Sequence, residues 1–400
     1  MNFKEITKGV YYAGVNDRVT ALFEGLWPLP YGVSYNSYIV DGGSRLALID
    51  TVRIDEVREF LNNIESVAPG RKIDYLVINH MEPDHSGSIP EVVLSYPDVK
   101  IVGNSQTISM IKGFYHIDDD NRFVEVKDGD TLDLGDRKLR FFLTPMVHWP
   151  ETMMTWLEDC RLLFSGDAFG TFGALDGGVI DSEMSTDHFF PEMYRYYSNI
   201  VGKYGKFVQR ALAKLSALLP LDYICSTHGP VWHERIEEVL AITDKLSAYK
   251  SEPGVTIIYG SMYGNTAEVA EVIARELCRS GVRNIRIHNA SHSSMSDMIS
   301  DAFRYQGLIV GSATYSMGLF PPVEAFMNAM ETREIQNKVF AAFGGYTWAK
   351  GAAIARVQEY CERMKMPMVA SMTMRQTLDE ESISSARELA AAVACSLQKD

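Results

Sequence analysis

Apolar residues recur along this chain in two rhythms. In the first 250 residues short β-rich runs come first: Val10-Tyr11-Tyr12-Ala13, then residues 35–40 and 45–50, with the turn Asp41-Gly42-Gly43 between them predicting a hairpin. A helical stretch over about residues 54–67 leads into the apolar run Ile73-Asp74-Tyr75-Leu76-Val77-Ile78, and strand-and-turn spacing covers residues 123–144. Helical spacing returns over residues 193–219 and 234–246. The mixture predicts sheets packed between helices.

The rhythm changes after Ser251-Glu252-Pro253-Gly254, where proline and glycine punctuate the chain and predict a linker over residues 251–254 between a domain of residues 1–250 and one of residues 255–400. Beyond it, strands at 255–259, 285–288, 308–310, 339–343 and 368–371 alternate with helices at 267–279, 295–304, 322–330, 352–364 and 381–397. Five strands alternating with five helices predict a doubly wound five-stranded parallel sheet.

Length agrees with two domains, since 400 residues exceed what one core usually serves. Acidic residues outnumber basic ones by 52 to 38, and the net charge of −14 argues against duplex nucleic acid or an anionic membrane as partner. Cys160, Cys225, Cys278, Cys361 and Cys395 are scattered and form no CxxC pair, so neither a disulfide framework nor a cysteine-rich metal module is expected. Met1-Asn2-Phe3-Lys4-Glu5-Ile6-Thr7 has no apolar signal core, and no run approaches the roughly 18 to 20 apolar residues that cross a bilayer, so a cytoplasmic protein is expected.

The chemistry concentrates in His80-Met81-Glu82-Pro83-Asp84-His85, separated only by Asn79 from the apolar run that ends at Ile78. Four of these six side chains are metal-ligand types, and burying them together is costly unless a cation compensates them. Three more ligand types stand at the ends of expected strands: His148, Asp167 after Leu162-Leu163-Phe164-Ser165-Gly166, and His228 after Tyr223-Ile224-Cys225-Ser226-Thr227. Four histidines and three carboxylates are too many for one ion and suit two divalent ions with one carboxylate between them. His116, His188, His233, His288 and His292 lack such company and read as surface or satisfied core groups.

In the second domain an expected strand runs through Gly260-Ser261-Met262-Tyr263-Gly264-Asn265-Thr266 straight into a helix, a loop suited to a phosphate dianion. Two later strands end in Gly311-Ser312-Ala313-Thr314-Tyr315 and in Phe343-Gly344-Gly345-Tyr346-Thr347-Trp348, whose aromatics can flank a planar ring. No GxGxxG fingerprint precedes a helix, which counts against direct nicotinamide binding.

These motifs together resemble the flavodiiron proteins, in which a metallo-β-lactamase-like αββα sandwich precedes a flavodoxin-like domain. Zinc hydrolases of the wider superfamily carry HxHxDH, whereas Glu82 holds the middle position here and shifts the donor set from zinc toward iron or manganese. The resemblance implies one iron on His80, Glu82 and His148, a second on Asp84, His85 and His228, and Asp167 bridging them. It implies FMN held by Ser261, Met262, Tyr263, Gly264, Asn265, Thr266, Ser312, Ala313, Thr314, Tyr315, Gly344, Gly345, Tyr346, Thr347 and Trp348. Glu24 stands where many relatives have a histidine near the irons, and Tyr196 and Tyr197 fall where a tyrosine approaches them; Glu24 and Tyr197 are therefore the candidate catalytic side chains.

The activity implied is an oxidoreductase that reduces dioxygen to water, nitric oxide to nitrous oxide, or both. Two ferrous ions and a reduced flavin hold the four electrons dioxygen needs. The donor implied is rubredoxin, with a deazaflavin cofactor or a reductase as alternatives, because the chain has no cysteine pairs for a fused rubredoxin. A head-to-tail homodimer, able to pair into a dimer of dimers, is implied as well. Two other readings of the motifs are a zinc-dependent hydrolase fused to a flavodoxin and a di-iron gas sensor.

Overall fold

The computed structural model describes residues 4–398, which form two compact units dividing between Ser247 and Ala248. The first unit is a metallo-β-lactamase-like αββα sandwich. Its seven-stranded sheet contains β1 (Lys4–Thr7), β2 (Val10–Tyr12), β3 (Tyr38–Asp41), β4 (Leu46–Ile49), β5 (Tyr75–Val77), β6 (Lys100–Gly103) and β7 (Phe123–Glu125), in that spatial order. The second sheet runs β8 (Thr131–Asp133), β9 (Lys138–Leu143), β10 (Met153–Leu157), β11 (Leu162–Gly166) and β12 (Tyr223–Ser226). Helices α1 (Val57–Val67), α2 (Pro83–Ser86), α3 (Ile89–Ser95), α4 (Ser105–Tyr115), α5 (Phe189–Tyr196), α6 (Gly205–Leu215) and α7 (Ile236–Ser247) complete it.

Strands β4, β10 and β11 are buried at every position, as expected for strands covered on both faces. The two sheets are tied together by buried polar bonds: Tyr38 Oη donates to the Ser226 carbonyl, and Thr155 Oγ1 donates to Asn79 Oδ1 at 2.7 Å. Pairing is antiparallel through β1 to β4 and parallel from β4 to β7, so the carboxyl ends of β5 and β6 open on one edge.

Three expectations need correction. The run 35–40 is not one strand: Val33–Tyr35 and β3 are separated by Asn36 and Ser37. Asn36 Nδ2 donates to the carbonyls of Ser226 and Gly229, and Ser37 Oγ donates to those of Ile49 and Asp50, so both side chains turn inward at the break. The helical run 193–219 is α5, a π-helical turn Tyr197–Val201, a short 3-10 turn Gly202–Tyr204, then α6. Finally, residues 252–254, expected in a linker, open a strand.

That strand is β13 (Glu252–Gly260), the first of the second unit, where Pro253 and Gly254 fall in a shift of register with its neighbour. With β14 (Ile285–Asn289), β15 (Tyr305–Ala313), β16 (Val339–Tyr346) and β17 (Met368–Arg375) it forms an all-parallel sheet ordered β14-β13-β15-β16-β17. This is the doubly wound order of flavodoxins, and it agrees with the alternation read from the sequence. Helices α8 (Asn265–Arg279), α9 (Met295–Arg304), α10 (Pro321–Thr332), α11 (Ala352–Met364) and α12 (Glu380–Leu397) alternate with the strands. Val255, Ile257, Val269, Ile273, Leu277, Ile309, Ala341, Leu389 and Val393 form a core between β-sheet and helices α8 and α12. No helix among the described residues is long and apolar enough to cross a membrane.

Candidate functional sites

The metal-type residues converge at the strand ends of the first unit. Asn79, between β5 and His80, is fixed by Asp50: its backbone N–H and Nδ2 donate to the two carboxylate oxygens at 2.7 and 3.0 Å. Burial raises the Asp50 carboxyl to about 6. His80 lies outside any element and Glu82 is extended at the start of α2, whereas Pro83 opens the single turn that carries Asp84 and His85. The change of conformation inside six residues sends the two halves of the motif in different directions.

The result is two clusters. Ligand atoms of His80, Glu82, His148 and Asp167 lie within 4.8 Å of one another, as do those of Asp84, His85 and His228. Asp167 links them: Oδ2 is 3.2 Å from His148 Nε2 and 3.6 Å from His80 Nε2, while Oδ1 is 3.1 Å from His85 Nε2. His85 Nε2 also stands 3.0 Å from His228 Nε2 and 3.2 Å from Asp84 Oδ2, which puts it inside the second cluster. The His228 ring is walled by Phe23, Tyr35 and Tyr196, with centroids 5.3, 5.6 and 5.5 Å away.

Several of these atoms are close without being hydrogen-bonded. His148 Nε2 lies 3.1 Å from Glu82 and both oxygens of Asp84 are buried, yet none of the three makes a hydrogen bond. Buried polar atoms are nearly always paired, so donors that approach and still miss one another fit a shared cation. Electrostatics agrees. Burial alone would lower His85, but Asp84 and Asp167 lift it to about 10; His148 rises to about 9 against burial through Asp167 and Glu82. Burial likewise opposes ionisation of Asp84, and the His85 and His228 rings still hold it well below its usual value. The acids thus gather positive charge around themselves, as protons or as metal.

Glu24 sits at the tip of the hairpin Leu22–Phe23 and Trp27–Pro28, with φ of 52°, and its Oε2 accepts the indole N–H of Trp27 at 2.9 Å. Burial, then the neighbouring charge of Glu82, raises its carboxyl to about 7. Tyr196 and Tyr197 are both buried beside Asp167 at a cavity of about 20 Å³, and Tyr196 is the one whose ring rests on His228. Sequence reasoning missed Glu151, 1% exposed, whose Oε1 accepts from His80 Nδ1 and from the Met81 N–H, each at 2.8 Å. An acid three residues beyond His148 and just before β10 was its only signal.

In the second unit a cavity of about 340 Å³ opens at the carboxyl ends of β13, β15 and β16. Ser261, Met262, Tyr263, Asn265 and Thr266 line it from the amino terminus of α8, joined by Ala313, Thr314, Gly345, Tyr346, Thr347 and Trp348. Hydroxyls and helix N–H groups at one end and aromatic walls at the other fit a phosphorylated planar ring.

Four residues expected at this cavity do not line it. Ser312 supports it from behind, accepting the Phe320 N–H at 2.9 Å; Gly264 begins α8 with φ of 98°; Gly344 packs toward Ala353 and Ile354; and Tyr315 folds back in a bridge with Gly318. Ser316, Met317, Ala349, Met374 and Gln376 line it instead, the last two because β17 extends to Arg375 rather than stopping at 371.

Fold and site define a class: a β-lactamase-like domain with two joined ligand clusters, followed by a flavodoxin. Family models agree, an ODP family beta lactamase matching residues 33–229 and a flavodoxin matching residues 257–388. The chain is 32% identical over 387 residues to the anaerobic nitric oxide reductase flavorubredoxin of Escherichia coli O1:K1, covering 96% of this chain and 80% of that protein. Rubredoxin oxygen:oxidoreductase from Desulfovibrio gigas superposes with a TM-score of 0.94 at 28% identity, covering 100% of this chain and 99% of that one. The flavodiiron protein of Giardia intestinalis gives 0.92 at 25%, covering 100% and 98%. The chain belongs to the flavodiiron protein family, whose members are oxidoreductases.

Proposed function

We propose that this chain is an FMN-dependent di-iron reductase that converts dioxygen to water, nitric oxide to nitrous oxide, or both. One observation carries the reading: two buried ligand clusters joined by Asp167, with Glu82 in the place where an imidazole would suit zinc, in a chain that also builds a flavodoxin cavity. His80, Glu82 and His148 would hold one iron and Asp84, His85 and His228 the other, with Asp167 shared. Iron there supplies electrons and a binding position for the gas, and FMN supplies further electrons.

The chain's own residues hold and feed that chemistry. Thr227 Oγ1 donates to Asp167 Oδ1 at 2.5 Å and fixes the shared carboxylate. Glu24, held by Trp27 and beside Glu82, would deliver a proton from its carboxyl. Tyr196 and Tyr197 would bring hydroxyls and apolar ring faces to the Asp167 side. Ser261, Thr266 and the first N–H groups of α8 would bind the FMN phosphate, and Tyr346 and Trp348 would flank its ring.

Electrons come from an external donor. Rubredoxin, a cytoplasmic location and a head-to-tail homodimer complete the reading; they rest on family likeness. Consumption of each gas, supplied separately in a sealed cell with reduced rubredoxin, tests the proposal. Uptake of at least one gas without peroxide is expected, and uptake of neither would refute it.

A further inference from the structure

We infer that Glu151 is a positioning residue that makes the two halves of the metal site unequal, so that the half built on His80, Glu82 and His148 takes a divalent ion first and holds it more tightly. The inference rests on the two-metal reading above and concerns a side chain outside both clusters.

The two halves have similar donors but different supports. His80 Nδ1 donates to a carboxylate oxygen of Glu151 at 2.8 Å, which fixes the proton on Nδ1 and leaves Nε2 facing Glu82 and Asp167. In the other half, His228 Nδ1 donates to the neutral carbonyl of Ser34 at 2.7 Å, and His85 Nδ1 is buried with no hydrogen-bond partner. A carboxylate behind a ligating imidazole raises its basicity and locks its ring; a carbonyl does so less, and nothing at all does so least.

Glu151 is itself held firmly. Its Oε1 takes the Met81 N–H, and its own carbonyl accepts from Asn104 Nδ2 at 2.6 Å. Asn104 in turn caps α4, accepting the N–H groups of Gln106 and Thr107. The second carboxylate oxygen, Oε2, is buried without a partner. Such an oxygen costs stability unless positive charge is near, and a cation bound by His80 lies one imidazole away. The first half therefore has a carboxylate hydrogen-bonded behind one of its imidazoles, whereas in the second one imidazole is backed by a neutral carbonyl and the other by no hydrogen bond.

The test uses the full chain, stripped of metal and titrated with cobalt(II), whose absorption reports each binding step whatever ion is native. The unaltered chain should bind two equivalents in two separate steps. Glu151→Gln keeps an oxygen for His80 and Met81 but removes the charge; it should weaken the first step by on the order of 10- to 100-fold and leave the second unchanged. Glu151→Asp, which keeps the charge, should recover part of the loss. Unchanged binding in Glu151→Gln, or equal weakening of both steps, would overturn the inference. If Glu151→Gln does not fold, the ligands decide: Glu82→Ala should weaken the first equivalent and Asp84→Ala should spare it, and equal weakening would overturn the inference. Native metal is read separately, so zinc in the purified protein would sink the di-iron reading without touching the inequality.

Discussion

The two units solve the problem of holding a reactive group in opposite ways. In the first, the candidate donors are side chains at the ends of β5, β11 and β12 and in the loop before β10, and three of them are fixed by a second buried group: Glu151 behind His80, Ser34 behind His228, Thr227 behind Asp167. In the second, the cavity is lined by loops, and some of its largest rings are open to solvent, Tyr263 at 91% and Trp348 at 87% exposure. Buried ions need a donor set that is complete and rigid, because every missing partner leaves an uncompensated charge. A cofactor bound through a phosphate and a ring face needs one anchored end and tolerates open walls.

The contrast predicts where the protein is brittle. Asp167→Ala removes the group shared by both clusters; metal content should fall toward zero and turnover by at least about 100-fold, measured by elemental analysis and gas uptake. Thr266→Val, which removes a hydroxyl from the opening turn of α8, should weaken FMN by about 1–2 kcal/mol, roughly five- to thirtyfold in Kd by fluorescence titration. Glu24→Gln should lower turnover several-fold at full metal and flavin content. The smallest effect belongs to Trp348→Ala: stability should change by less than about 0.5 kcal/mol, since so exposed a ring buries little, while FMN affinity falls a few-fold. If Trp348→Ala unfolded the protein, the contrast between the units would fail.

Acidity sharpens the same comparison. His85 at about 10 and His148 at about 9 are raised by the acids around them, so protons compete with metal for these nitrogens throughout the neutral range. Metal binding requires their deprotonated forms. Chelators should therefore extract metal faster as pH falls from 9 toward 6, whereas FMN retention over that interval should change little.

How far each site was readable follows from the same physics. His80, Asp167 and His228 were legible because each closes an apolar run, and the strand that positions it announces it. Glu151 has no such herald: it gains its importance from burial against His80, seventy-one residues away in sequence. Gln376 and Met374 were hidden for a related reason, since nothing after Ser371 signals that β17 continues to Arg375 alongside β16. The strand β6 passed unread because Lys100-Ile101-Val102-Gly103 is too short a run to show a period. The π-helical turn at Tyr197–Val201 keeps apolar spacing close to that of an α-helix, so only the structure separates α5 from α6.

The central claim is that Glu82 and its neighbours form a two-iron site in a chain that also binds a flavin. Elemental and flavin analysis of the protein purified from iron-replete cells tests it most directly: about two irons and one FMN per chain are expected, and two zinc ions with no iron would contradict the account.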